Sequence, residues 1–553
     1  MEKRLLLAII LSFLVLVLYQ ILFVKKPPSP EKVPEQIQDI ETEPPPKPSI
    51  ESQLPPQVTS QPQEAPEEEI ITEPISETKE ANILIDTPLY QAVWSNRGAV
   101  LKSWKLKMYK DDNGEDLDLV SLRAEEIGLY PFALDTDDPT FDALINGSLH
   151  TFSNQKINLM EGQEGELRFQ YADQEGNRVE KTFLFLAGKY TLDIRINVWK
   201  KGQRIDSRLV WGPSLGNPTP EDQRRRFGGS QGAAVFTGEK IYRNEERKYK
   251  PERSLFNFVH WAAYEDNYFT ALFLSDPQKS SAAFFRKEKD QLPYFFLFLS
   301  NAKRAYIGPK EYDTLNEFGP GTKNLIKFGF FGWIAQILLK AIKGIHSVIP
   351  NWGFSIIILT LIIKILFFPL TYSSTKSMAK MQELQPKIKA LRAKYKKAKQ
   401  DIGQRRKMNE EMMKLYKEHG INPAGGCLPI LVQIPIFWGF FRLLIVSIEF
   451  RQSPFILWIK DLSLKDPFYV TPILMGVTQF ISQKMTPTSA DPTQQKMMLI
   501  MPVIMTIFFM NFQSGLVLYW LTNNVLQIGQ QYIMNRLMQK KKREAHGRKR
   551  RKK

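Results

Sequence analysis

The chain has 553 residues, room for two to four domains, and its 75 Lys and Arg against 58 Asp and Glu give a formal charge of +17. Its single cysteine, Cys427, excludes an internal disulfide and a cysteine-based zinc site, and no two of its five histidines have metal-ligand spacing. The nearest string to a phosphate-cradling loop, Gly319-Pro-Gly-Thr-Lys323, has the wrong spacing, which weighs against a nucleotide-driven machine.

Leu5–Val24 is a run of 20 uncharged, mostly apolar residues, long enough to span roughly 30 Å of bilayer core. It is too long for a signal-peptide apolar region and ends without a small-x-small site, so residues 1–26 are expected to form an uncleaved anchor. Residues 27–80 hold 13 of the 36 prolines and no glycine, the composition of a disordered, semi-extended tether. Residues 81–322 then carry short alternating runs (Ala81–Ile85, Glu166–Tyr171, Lys181–Leu186, Thr191–Val198). Turns such as Asp112-Asn113-Gly114 and Glu175-Gly176-Asn177 separate them, which predicts an antiparallel β-sandwich.

Residues 323–538 read as a helical membrane core. The stretch 324–345 is too often interrupted by lysine to cross a bilayer; an amphipathic helix in the interface fits it, with a buried soluble helix as the alternative. Apolar segments at 352–372, 428–448, 467–483, 497–511 and 515–535 give five core spans, six with the anchor. The last two come from one uncharged run of 39 residues, too long for a single crossing and divided by the turn Asn511-Phe-Gln-Ser-Gly515.

The positive charge is concentrated in two places. Residues 374–427 carry 14 Lys and Arg against 5 acidic residues, and residues 535–553 carry 11 against one. Basic loops stay cytoplasmic, and four spans separate these two, so both lie on the same side. Both termini are then cytoplasmic and the β domain lies outside. Residues 374–420 are expected to form a cytoplasmic helical hairpin, with Met378, Met381, Leu384, Ile388, Met408, Met412 and Leu415 at helical spacing. This stripe reads as the seam of the hairpin, or as a surface for varied apolar partners. The basic tail 539–553, with Lys540, Lys541, Lys542, Arg543, Arg548 and Lys549, serves as a topology signal touching anionic lipid or as a phosphate contact to ribosomal RNA.

Lys364 lies near the middle of its span, where a bare ammonium is costly, with Thr360 one turn earlier on the same face. Other spans supply Gln433, Gln479, Gln483, Thr506, Thr522, Asn523, Asn524 and Gln527, but no carboxylate lies in the central part of any of them. A proton relay or ion-coupled carrier would usually have one. A wet, positive groove accounts for Lys364; snorkelling to an interface is the alternative. Gln433 either lines that groove or satisfies a backbone group freed by Pro435. Arg442 is near the outer end of its span and within snorkelling reach.

The last 230 or so residues resemble the YidC membrane-protein insertase family. The strings that carry the resemblance include Asn351-Trp-Gly353, Phe368-Pro-Leu370, Ser377-Met-Ala-Lys-Met381, Asn422-Pro423, Gly425-Gly-Cys-Leu-Pro429, Gln433-Ile-Pro-Ile-Phe437, Asp466-Pro467, Pro472-Ile-Leu-Met-Gly-Val477 and Gly515-Leu-Val-Leu-Tyr-Trp520. The resemblance implies a Gram-negative type with a periplasmic β-supersandwich. It also implies an insertase and chaperone that catalyses no covalent change and needs no cofactor or metal. It would pass nascent transmembrane segments from the ribosome into the inner membrane, alone or with the Sec translocon, without binding DNA. The family's groove cation is usually Arg and here is Lys364, which keeps the charge and loses the planar fork. Thr360, Tyr519 and Trp520 match groove positions of the family. A small-solute transporter would show inverted repeats, which are not visible. An enzyme built on the β domain would have only His150, His260, Glu265 and Asp266 to draw on.

Overall fold

Alternation of apolar and polar residues makes a strand amphipathic, and the first half of the chain folds accordingly. Residues 74–216, 231–246, 254–289, 292–395, 401–420, 428–486 and 492–550 are described by a computed structural model. The expected anchor and nearly all of the tether lie outside them. Strands Glu164–Ala172, Arg178–Leu186 and Thr191–Lys200 pair antiparallel in chain order. Gly114 and Gly176 take φ of +86° and +79° in the turns read from the sequence, a backbone region that favours glycine.

Among the described residues the strands form sheets of five, ten and five. The sheets pack face to face through aromatic side chains: Trp94 of the first lies 4.3 Å from Phe183 of the second. Trp211 of the third lies 5.8 Å from Phe273 of the second. This is a β-sandwich core. Its least expected member is Lys181, which shares the inward side of its strand with Val179, Phe183 and Phe185. The ammonium is fully buried and donates to the carbonyls of Gly98 (2.7 Å), Phe132 (2.8 Å) and Ala99 (3.2 Å). Burial pulls its pKa from the ordinary 10.5 down to about 7, against the preference of three carbonyl acceptors for the charged form.

Among the described residues nine α-helices follow from Gly332 onward: α1 Gly332–His346, α2 Trp352–Leu366, α3 Phe368–Glu383, α4 Gln385–Lys394, α5 Ile402–Glu418, α6 Leu428–Val446, α7 Val470–Met485, α8 Pro492–Phe509 and α9 Ser514–Arg550. Helix α1 begins later than the amphipathic pattern, because Gly329 takes φ of +78° and turns the chain just before it. It buries Ala335, Leu338, Leu339 and Ile342 and leaves Trp333 and Ile337 exposed. It packs on α6, where a Cβ at Gly439 would stand 2.7 Å from Ile334.

Among the described residues no single helix is long and apolar enough to cross a membrane. The apolar run from Trp352 is instead broken: α2 and α3 meet at 60° around Phe367, with Pro369 in the first turn of α3. The divided 39-residue run behaves as expected, since α8 ends at Phe509 and α9 starts at Ser514. Large apolar side chains stand exposed on several of these helices, among them Ile365, Val477, Ile504 and Ile533, each more than half exposed. Such a continuous apolar exterior calls for lipid or protein around it.

Polar contacts fix the β domain to the helices. The buried carboxylate of Glu265 meets Lys310 at 3.0 Å, Arg243 at 3.1 Å and Lys327 at 3.3 Å. Although its burial alone would raise its pKa, these three cations hold it well below the usual carboxylate range. Lys343 of α1 reaches Asp313, Glu449 and Glu311. Gln452 exchanges two hydrogen bonds with the backbone of Lys110, and Arg451 covers the rings of Tyr268 and Phe269 at 5.1 Å each. Arg442 does not snorkel: its guanidinium donates to the Lys327 carbonyl just before α1.

Two stability measurements test this packing. Glu265→Gln leaves three cations around a neutral amide and should cost about 3–5 kcal/mol, read by thermal unfolding of purified protein. A change below about 1 kcal/mol would mean that water screens the cluster. For Lys181, folded and unfolded chains both carry the proton below about pH 7, so the burial penalty stands in full there. Between about 7 and 10.5 the unfolded chain holds more protons, so stability rises with pH in that window. Lys181→Met should remove this rise; identical pH profiles of the two proteins would show that the lysine does not titrate there.

Candidate functional site

Helix α2 starts where Asn351 caps it, its side-chain oxygen accepting from the Phe354 N–H at 3.1 Å. Three turns later its inner face presents Thr360, Ile363 and Lys364 to a narrow cleft. Phe367 at the bend and Leu370 and Thr371 beyond it continue the same wall. Val432, Gln433 and Ile436 of α6, with Tyr519 and Asn523 of α9, complete the lining, and none of these eleven residues carries a carboxylate.

The Lys364 Nζ donates to the side-chain oxygen of Gln527 at 2.9 Å. Gln433 donates from Nε2 to Asn523 Oδ1 at 3.3 Å and to Tyr519 Oη at 3.4 Å. Gln530 donates to the Thr371 hydroxyl at 2.5 Å. Residues 519, 523, 527 and 530 share one face of α9, so one polar ladder joins α9 to α6 and then to both sides of the α2–α3 bend. The Tyr519 ring stacks on Phe440, 4.3 Å between centroids, which fixes the apolar side of the ladder.

Of the five groove residues expected from the sequence, Lys364, Thr360, Gln433 and Tyr519 line one cleft. The Thr360 hydroxyl donates to the Ile356 carbonyl of its own helix at 2.7 Å, so it lines the cleft with its hydrogen committed. Trp520 stands elsewhere. Successive helix residues diverge by about 100°, and its indole N–H donates to Gln479 of α7 while its ring meets Phe437 and Phe509. The side chains of Lys540, Lys541, Lys542, Arg543, Arg548 and Lys549 lie outside the described residues. Thr371 was not expected at the cleft; the proline two residues before it was the available signal that the helix turns there.

Helices α3, α4 and α5 bring Met381, Leu384 and Ile388 against Met412, Leu415 and Tyr416, a closed apolar seam. Lys394 and Tyr395 both donate to Glu411. The Met side chains named here are therefore engaged with each other's neighbours across the hairpin. Among the described residues no group of three or more His, Cys, Asp or Glu is placed to hold a metal ion.

Comparison with known proteins covers both halves. Residues 82–341 match the model of the YidC periplasmic domain, and residues 344–542 match that of the 60Kd inner membrane protein. The membrane protein insertase YidC of Syntrophus aciditrophicus is 38% identical over 97% of this chain and 100% of that protein. That of Geobacter sulfurreducens is 39% identical over 82% of this chain and 85% of that protein. A crystal structure of an active YidC insertase with its first transmembrane domain resolved aligns over 83% of this chain and 94% of that one. Its 19% identity and TM-score of 0.35 are too low to assign a fold. Two adjoining domain matches and full-length relatives above 30% identity lead to one conclusion: the chain belongs to the YidC family of membrane protein insertases.

Proposed function

We propose that this chain inserts nascent transmembrane segments into the bacterial inner membrane through the cleft around Lys364. The observation that carries this reading is an ammonium hydrogen-bonded to a neutral amide in a polar cleft without a lining carboxylate. The polar, translocated flank of a substrate enters the cleft, drawn by that charge. Its apolar segment slides along the exposed faces of α6 and α8 and partitions into lipid, driven by hydrophobic transfer. In this reading the core helices and Leu5–Val24 make six crossings, with both termini cytoplasmic and the β domain periplasmic. The domain divisions are those of the sequence: anchor 1–26, tether 27–80, β domain 81–322, core 323–538 and tail 539–553. The hairpin and tail face the ribosome, and the Sec translocon is a partner for part of the substrates. The exposed apolar exterior supports the membrane placement, and the two basic segments support the orientation.

Insertion assays in proteoliposomes, with substrates matched except for acidic, neutral or basic translocated tails, test the role of Lys364. A charge pair about 4 Å apart at an effective dielectric near 20 gains roughly 4 kcal/mol before desolvation, and water in the cleft reduces this. Lys364→Arg should therefore be active. Lys364→Ala should be partly defective, most of all for acidic tails. Equal insertion of all three tails by Lys364→Ala would remove the lysine from the mechanism.

Deleting residues 540–553 should weaken binding to purified ribosomes, and binding of the full-length chain should fall as salt rises. Equal binding by both proteins at low salt would leave the tail as a topology signal alone.

A further inference from the structure

We infer that Gln527 determines which substrates engage Lys364: its amide is an exchangeable latch that a carboxylate displaces and a neutral group does not. The inference rests on the insertase reading above. It starts from the 2.9 Å bond between the Lys364 Nζ and the Gln527 oxygen. An amide satisfies the geometry of an ammonium but cancels none of its charge. The ammonium–amide bond carries charge on one side only, and a carboxylate adds the attraction of opposite charges, roughly 4 kcal/mol at about 4 Å and an effective dielectric near 20 before desolvation. Exchange of the amide for an incoming carboxylate is thus favourable. Exchange for a second amide or a hydroxyl gains nothing, so neutral segments pass without capturing the lysine.

The surroundings make this role specific to Gln527. The Thr360 hydroxyl is committed to Ile356 and the Gln433 amide to Tyr519 and Asn523. The Thr371 hydroxyl accepts from Gln530 and donates to its own helix backbone. These same contacts bracket Gln527: Asn523 ties α9 to α6 on one side of it, and Gln530 ties α9 to Thr371 on the other. The amide is therefore presented to the ammonium by helix positions that do not depend on the Lys364–Gln527 bond. Once displaced, it offers both a donor and an acceptor to the peptide groups of the passing segment. Gln527 is a positioning and specificity residue and forms no covalent bond.

The test uses the full chain in proteoliposomes with the three matched tails, and folding of each variant is checked by its unfolding temperature. Gln527→Glu supplies a permanent carboxylate, so the loss should be roughly tenfold larger for acidic than for neutral tails. Gln527→Met keeps the side-chain length without the acceptor, which leaves the ammonium open to neutral groups as well, and should narrow the preference for acidic tails. Exchanging the two groups, Lys364→Gln with Gln527→Lys, moves the ammonium across the same hydrogen bond and should restore that preference to within about threefold of the parent. Equal losses for all tails in both Gln527→Glu and Gln527→Met would overturn the inference and leave Gln527 a packing residue. If Lys364→Ala is selective for tail charge while Gln527→Glu is not, only the latch fails. If Lys364→Ala is itself indifferent to tail charge, the groove reading fails first.

Discussion

An ammonium placed among apolar helices has to be solvated by fixed dipoles, and the helical core is arranged around that need. Lys364 finds a side-chain oxygen on α9, and α9 can supply it only if it lies alongside α2. The polar face of α9 meets this requirement, and its other members hold α6 and the start of α3 at the same time. On the remaining side the stacked rings of Phe440 and Tyr519 close the bundle. A carboxylate among the lining residues would have solvated the lysine better. It would also have neutralised the charge that gives the cleft its chemistry.

The junction with the β domain takes the opposite course. There, the buried carboxylate of Glu265 is paired with cations where the two halves meet, whereas the ammonium of the cleft meets a neutral amide. A buried pair resists the loss of either member far more than it adds over an apolar contact. Such a joint specifies one docking geometry. The two-way bond of Gln452 to the Lys110 backbone and the Arg451 stack on Tyr268 and Phe269 act in the same sense.

Local patterns in the sequence were readable where one side of an element decides its structure. Alternation located the strand Arg178–Leu186, and the same parity puts Lys181 inside, a consequence that its charge disguises. Helical spacing put Thr360 and Lys364 on one face, and the Asn511–Gly515 turn divided a run too long for one crossing. The apolar run from Trp352 reads as one segment in the sequence and is two helices in the structure, because hydropathy continues through a point where Pro369 changes the helix direction. The family resemblance places both Tyr519 and Trp520 at the groove, yet a helix sends neighbours to different sides, and Trp520 reaches α7 instead. The partners of Glu265 come from three separate segments, and no short-range pattern connects them.

The bend at Phe367 makes α3 a lever. The pivot lies at the wall of the cleft, and the 16 residues of α3 extend roughly 24 Å away from it. Turning the arm by about ten degrees moves its far end by roughly 4 Å, while Thr371, only about 6 Å from the pivot, moves by about 1 Å. The tie between Thr371 and Gln530 therefore restrains the arm from its short side. A load applied at the far end of α3 meets that tie multiplied about fourfold by leverage. Were the hairpin to bear a load, it would reach the wall that holds Lys364 as a larger force over a shorter distance.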